Sequence, residues 1–492
     1  MASDDEKTVK GKGNGDDLAP SIDEQQPGAS GYKTYAVRFY GLALICILNI
    51  VSSINWLSVA PVPDHANAFF NNVGLTTINW FSNIFLLIYI VAGPLSSYVF
   101  YRHSIKTGLL VGCGLQIIGA WLRYFSSFVN DSKGRIALAL LGQIFCGFGQ
   151  PFILNASTPV SPKIPSGPKE RSTASMAGGL ANTVGMAIAD LIVPEMVPDE
   201  GSMQFNFLII ACITTGFGIP TLFIPRQPKT PPSFSASNHH ERRQPLLKTL
   251  WTLVTNFNFL IIFLVFGVLC GLASTVTSFL PQIVQPYGIS YDDAGYLGVA
   301  FIVAGILGAV GTGLFIDRTK LHKWVLRVYV PIVGFLYLAL LMVVKRDNYD
   351  VIIAICAILG FFMFSLLPVA LELSIECKSN YGSDLIKRNR PPKGPNTPHT
   401  DSLCLSQIKL GTYPISETIS SSSLWMCSQV LGLIFLVAFD ALRDDTGNPP
   451  GNIRNGLILA TCVAMPMMIL SSIYNSPNKR MNEENEQEII AE

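Results

Sequence analysis

Charge is what this chain has least of. Asp, Glu, Lys and Arg make up 14% of its 492 residues, against 49% hydrophobic residues, and the mean hydropathy is +0.40. A soluble domain would carry about a quarter charged residues, so a water-soluble globular chain is excluded. Metal-binding patterns are missing too. The ten cysteines form no CxxC pair and no His/Cys cluster at ligand spacing. Most of them, such as Cys46, Cys113, Cys146 and Cys270, lie within apolar runs and read as small core residues. Neither a metal nor a cofactor is expected. There is no HExxH, no GxSxG and no pair of intramembrane aspartates, which excludes the common membrane-embedded hydrolases. A net charge of +1 says little about partners, and no nucleic-acid partner is expected.

What the chain does have is twelve apolar stretches, read as spans over 35–60, 76–101, 107–127, 134–157, 173–196, 204–225, 257–281, 294–316, 324–344, 351–375, 412–440 and 454–474. About 20 apolar residues cross the hydrocarbon core as a helix. A helix also satisfies its own backbone there. The fold class is therefore an all-α membrane protein with twelve transmembrane helices, lying in a lipid bilayer and expected to be a monomer.

Lys and Arg assign the sides. With the N-terminus inside, the inner segments hold Arg102, Lys106, Lys163, Lys169 and Arg171, and later Arg318, Lys320 and Lys323. The outer loops at 61–75, 197–203 and 282–293 hold no Lys or Arg. Both termini are thus expected to be cytoplasmic. Residues 1–34 are polar without an apolar signal segment, and they read as a disordered tail, as do 475–492. The sequon Asn130-Asp131-Ser132 falls in an outer loop, as a glycosylation acceptor or as a chance match. No retrieval motif is visible, so plasma and internal membranes are both open.

The basic, Pro/Ser-rich loop 226–256 divides the spans into six (35–225) and six (257–474). Two six-helix bundles clasping a midplane site are the plan of the major facilitator fold. The stretch Gly313-Leu-Phe-Ile-Asp317-Arg318-Thr-Lys320, placed just after span 8, resembles that superfamily's cytoplasmic loop signature. Gly313, Asp317, Arg318 and Lys320 are the expected conformational gate. The acid would sit at a helix N-terminus and the bases on carboxylates, in contacts that one conformer makes and the other breaks. The bland alternative is a basic inner loop that contains an acid by chance. Within 257–474, residues 377–411 form a polar, Pro- and Lys-rich insertion with no helical period. Glu376-Cys377-Lys378-Ser379 can be encoded with a splice-donor string, so a retained in-frame intron and a disordered cytoplasmic insertion both stand.

Ionisable residues in the spans, namely Arg123, Asp190, Glu195, Glu372, Glu376, Glu417 and Asp440, all fall near span ends, where they can snorkel. The absence of a central carboxylate favours facilitated diffusion over proton coupling. Uncharged polar residues lie deeper: Asn55 and Trp56 in span 1, Gln143 and Gln150 in span 4, and Asn182 in span 5. Span 7 adds Ser274, Thr275 and Thr277, and span 11 adds Gln429. Each amide is either an interhelical hydrogen-bonding group or a site residue. Trp56 is either an interfacial belt residue or a cavity wall. As a wall, its indole face would attract a desolvated quaternary ammonium by about 2 kcal/mol.

Taken together, Asn79-Trp80, Tyr89, Pro94, Gly119-Ala120-Trp121, Gly142-Gln143, Gln150, Asn182, Gly185, Thr412-Tyr413-Pro414, Gln429 and Gly432 give the chain its likeness. It resembles the feline leukaemia virus subgroup C receptor-related family, a branch of the facilitator superfamily, over about 33–475. That resemblance implies carriage of choline or ethanolamine, with haem also proposed for the family. It implies a site in which Trp56 matches the family's span 1 tryptophan, and Gln150 and Gln429 match its glutamines. Ser274 stands where the family has a span 7 tyrosine, which removes one wall of the cage. The expected substrate-binding residues are thus Trp56, Gln150, Asn182, Ser274 and Gln429. The expected function is a small-solute carrier working by alternating access. The alternatives are a carrier for another solute, such as a vitamin-like amine, or a non-transporting receptor or scaffold.

Overall fold

A computed structural model of the chain describes residues 37–156, 168–224, 253, 255–319, 321–345, 348–388 and 417–475. Twelve long helices run through it. They are α1 (Val37–Trp56), α2 (Leu75–Arg102), α3 (Ile105–Ser126), α4 (Ser132–Leu154), α5 (Pro168–Met196) and α6 (Met203–Gly218). The second set is α7 (Phe257–Val284), α8 (Tyr291–Thr319), α9 (His322–Val343), α10 (Tyr349–Arg388), α11 (Glu417–Ala441) and α12 (Arg454–Ile473). Eleven are long and apolar enough to cross a bilayer, and α1 contributes a shorter apolar length, Tyr40–Trp56. Among the described residues there is no strand. Helix starts are capped as the local sequence asks: Ser104 accepts from Thr107 N, Asp131 from Gly134 N, and Asn256 from Asn258 N and Phe259 N.

The helices pair in a pattern that repeats with an offset of six. In the first half α1 packs on α5, α3 on α4, α2 on α4, and α3 on α6. In the second half α7 packs on α11, α9 on α10, α8 on α10, and α9 on α12. The halves meet along two seams, α2 with α11 and α5 with α8, which the same offset exchanges. Such a twofold relation between halves is how carriers with internal repeats place a site at their common interface. Where helices cross most closely the sequence supplies glycine. A Cβ on Gly142 would stand 2.6 Å from Gly119 O across α3 and α4, and one on Gly360 would collide with Phe301 O across α10 and α8.

One end of the molecule is closed across the seam by polar contacts. Asn79 on α2 donates to Asp440 Oδ1 at 2.7 Å, and Gln282 on α7 donates to Asn79 Oδ1 at 2.7 Å. Arg443 completes the knot, donating to Gln282 and pairing with Asp440 at 2.9 Å. Nearby, Asp64 of the short helix Pro63–Phe69 accepts from Gln285 at 2.7 Å and from the Tyr291 hydroxyl.

Three expectations change. The signature Gly313–Thr319 is not a loop but the last turns of α8, with nothing to break the helix and Thr319 Oγ1 bonded back to Phe315 O at 2.8 Å. Helix α10 runs through 377–388, the first part of the segment read as aperiodic. The rest of 377–411, together with Thr412-Tyr413-Pro414, lies outside the described residues. Arg123, expected to snorkel, is fully buried at 1% exposure.

Candidate functional site

Six helices, α1, α4, α5, α7, α10 and α11, surround a chamber of about 630 Å³ of empty space, its mouth included. Each contributes one face. Asn182 and Met186 on α5 are one turn apart, as are Trp425 and Gln429 on α11 and Cys270 and Ser274 on α7. All five expected residues, Trp56, Gln150, Asn182, Ser274 and Gln429, line this one space. They come from both halves, three from the first and two from the second. No Asp, Glu, Lys, Arg or His is among its lining residues, so the chamber is uncharged.

Its polar content is small and pointed. Gln150, beside Pro151 inside α4, has a buried side-chain oxygen with no hydrogen-bond partner, and Asn182 has a buried, unpartnered amide nitrogen. A buried polar atom left unpaired costs about 1–3 kcal/mol, which a ligand can return. Around them stand Leu154, Met186, Leu269, Met363, Phe364 and Leu367. A few fixed polar atoms in an apolar, aromatic lining are typical of a small-molecule site.

Trp56 is 4% exposed, so it is a wall and not a belt residue. Its placement follows from how α1 ends. The helix stops at Trp56, and Leu57, Ser58 and Val59 remain buried. A helix C-terminus inside the protein leaves carbonyls that need donors. Arg123 on α3 supplies them. Its Nη1 donates to Asn55 O at 3.0 Å, to Ser58 Oγ at 2.6 Å and to Gln143 Oε1 at 2.9 Å, and its Nη2 donates to Asn55 Oδ1. A cation at a helix C-terminus also opposes the helix dipole. Gln143 carries the linkage on to Phe81 O at 2.9 Å, and Asn55 donates to Thr214 Oγ1 at 2.9 Å. The indole N–H donates to Ser82 O at 3.3 Å. Asn55 and Gln143 are therefore structural links behind the wall, while Thr275 and Thr277 bond back to Gly271 O and Ala273 O of their own helix.

A further aromatic wall comes from a residue the sequence reading passed over. Trp425 lines the chamber from α11, one turn before Gln429, its ring set edge-on to Phe266 at 5.4 Å. The i, i+4 spacing to Gln429 was the available signal. The expected gate falls only partly within the described residues: Gly313 is half-buried in α8 and Arg318 is exposed at its last turn, the Asp317 side chain is not described, and Lys320 lies outside the described residues. No group of His, Cys, Asp and Glu suited to a metal ion occurs among the described residues.

Comparison with known proteins fits this geometry. The chain is 28% identical over 440 residues to solute carrier family 49 member A3 of Xenopus tropicalis, covering 87% of this chain and 82% of that one. It is 25% identical over 471 residues to the choline/ethanolamine transporter FLVCR1 of Mus musculus, covering 90% and 76%. These are relatives of the branch that the resemblance indicated, and they are transporters, not enzymes. In structure it matches a D-xylose–proton symporter with a TM-score of 0.62 at 13% identity, over 89% of this chain and 98% of that one, a likeness of fold alone. Residues 39–377 match the family profile of the Major Facilitator Superfamily, and the chain belongs to that superfamily of multi-pass membrane transporters.

Proposed function

We propose that this chain moves a small organic cation of the choline/ethanolamine type across the bilayer by facilitated alternating access. The observation that carries this reading is the pairing of Trp56 and Trp425, from opposite halves, in a chamber without charge. Indole faces attract a desolvated ammonium electrostatically. A hydroxyl, being both donor and acceptor, can satisfy Gln150 Oε1 or the Asn182 amide, each of which is unpartnered. The resemblance to choline/ethanolamine transporters supports the same class. Haem suits the chamber less well. Its propionates ask for a cationic partner, and none lines the space.

In this reading Trp56, Gln150, Asn182, Ser274 and Gln429 bind substrate, with Trp425 added. The two halves, 35–225 and 257–474, rock about the chamber as a monomer with cytoplasmic termini. The Asn79–Gln282–Asp440–Arg443 knot holds the outer end shut. Gly313, Asp317, Arg318 and Lys320 act at the opposite end. The test is uptake of labelled choline by the purified chain in liposomes. Saturable uptake that ethanolamine competes for is expected, lost in Trp56→Ala and Gln429→Ala. Uptake that survives both substitutions discards the site, and no uptake of either solute by folded protein discards the substrate class.

A further inference from the structure

Outside the chamber, a buried carboxylate stands without a partner. Asp190 on α5 is 5% exposed, and its Oδ2 has no hydrogen-bond partner. It lies eight residues beyond Asn182 and four beyond Met186, on the chamber-lining face of α5 and about 12 Å towards the closed end at 1.5 Å per residue. It is held in the α5/α8 seam between the halves: a Cβ on Gly298 would come 2.6 Å from Asp190 Oδ2. Asp190 therefore lies at a level between that end and the chamber, covered by Gly295 and Gly298 of α8.

A structural part does not account for it. Among the described residues it caps no helix and pairs with no base, and burying an unpaired carboxylate is costly. The seam is, however, a surface that alternating access must open. The loops beyond it, 61–75, 197–203 and 282–293, carry Asp64, Asp199, Glu200, Asp292 and Asp293 and no Lys or Arg of their own; Arg135 lies against the first at Phe69 and Arg454 faces Tyr287 of the third, which leaves acids in excess. Acids arranged in this way focus a field that concentrates cations. The second carboxylate on the route, Asp440, is already neutralised by Arg443.

We infer that Asp190 is a second, transient binding station for the ammonium group of the substrate, hidden in this conformation and uncovered when α5 and α8 part. It hands the cation from the acidic mouth to the uncharged chamber. Closure against Gly298 then expels the cargo inward, because the seam has no room for both.

The inference rests on the cation reading of the chamber, and its test separates the two. In liposomes, Asp190→Asn should raise the half-saturating choline concentration by about tenfold, while the salt dependence set by the outer acids persists. Asp190→Glu, which keeps the charge, should hold half-saturation within about twofold of the wild type. Equilibrium choline binding in detergent should persist in Asp190→Asn and vanish in Gln150→Ala. Unchanged half-saturation in Asp190→Asn overturns the station. A rise in Asp190→Glu as large as the one expected for Asp190→Asn overturns it as well, and this arm stands alone if the Asn variant does not fold. Wild-type protein that binds no choline overturns the chamber reading instead.

Discussion

The two halves share one pattern of helix pairing but are held together differently. The first half is joined by directed polar bonds: Arg123 to Asn55, Ser58 and Gln143, Gln116 to Ser52 at 2.6 Å, and Asn206 to Ser58 O at 2.9 Å. The second half has more apolar spans. Among the described residues its stronger polar contacts lie at its ends, Arg443 to Gln282 and Arg327 to Tyr474 O at 2.7 Å, while within the spans they include contacts as slight as Ser420 to Ser374 at 3.1 Å and Tyr337 to the Met363 sulfur at 3.4 Å. Glycine is common to both: α3 and α4 approach through Gly119 and Gly142, and α8 and α10 through Gly305, Gly308 and Gly360. Hydrogen bonds have one good geometry, whereas smooth apolar faces tolerate sliding. The directed bonds of the first half accordingly fix the end of α1 and with it Trp56. The two tryptophans reflect this: Trp56 is anchored through its N–H, while Trp425 is held by ring contact with Phe266.

The contrast can be broken in order of effect. Arg123→Met should be the most damaging, since it orphans the buried acceptors at the end of α1. A loss of at least about 3 kcal/mol is expected, seen as poor recovery and a markedly lower unfolding temperature in detergent. Survival at wild-type stability would show that the first half does not depend on its polar hub. Trp56→Ala should cost about 2 kcal/mol of substrate affinity, roughly thirtyfold, measured as choline binding. Trp425→Ala should cost less, because that ring is less firmly placed. An equal loss at both positions would erase the distinction between anchored and free walls. Gly360→Ala should destabilise by about 1–3 kcal/mol through the clash with Phe301 O, read from thermal unfolding. Ser420→Ala should be the mildest, near 0.6 kcal/mol, in line with typical bonds between membrane helices. A large effect there would mean that the second half also relies on polar specification.

Much of the architecture was legible because lipid leaves a chain few options. Apolar length gave the spans. Polar residues stranded in apolar runs gave Gln150, Asn182 and Gln429, and the resemblance singled out Trp56. Trp425 was missed because a tryptophan inside an apolar run is unremarkable by hydropathy, and only its spacing from Gln429 marks it. Arg123 was misjudged for a different reason. A charge near a span end normally reaches water, and its burial depends on α1 stopping short, which nothing in the span 1 residues announces. The sign of Asp190 was readable but its surroundings were not, since the α5/α8 seam is contact between residues far apart in sequence.

The absence of any ionised group from the chamber wall has an electrical consequence. A cationic passenger held only by rings and amides keeps its whole charge as it crosses, with nothing on the protein travelling with it to cancel the movement. Each turnover would then carry current, and the membrane voltage would act on the cargo directly, at about 2.3 kcal/mol per 100 mV. A cell interior 100 mV negative would sustain roughly a fortyfold accumulation with no second ion. For such a carrier, direction would be set by the membrane in which it is placed.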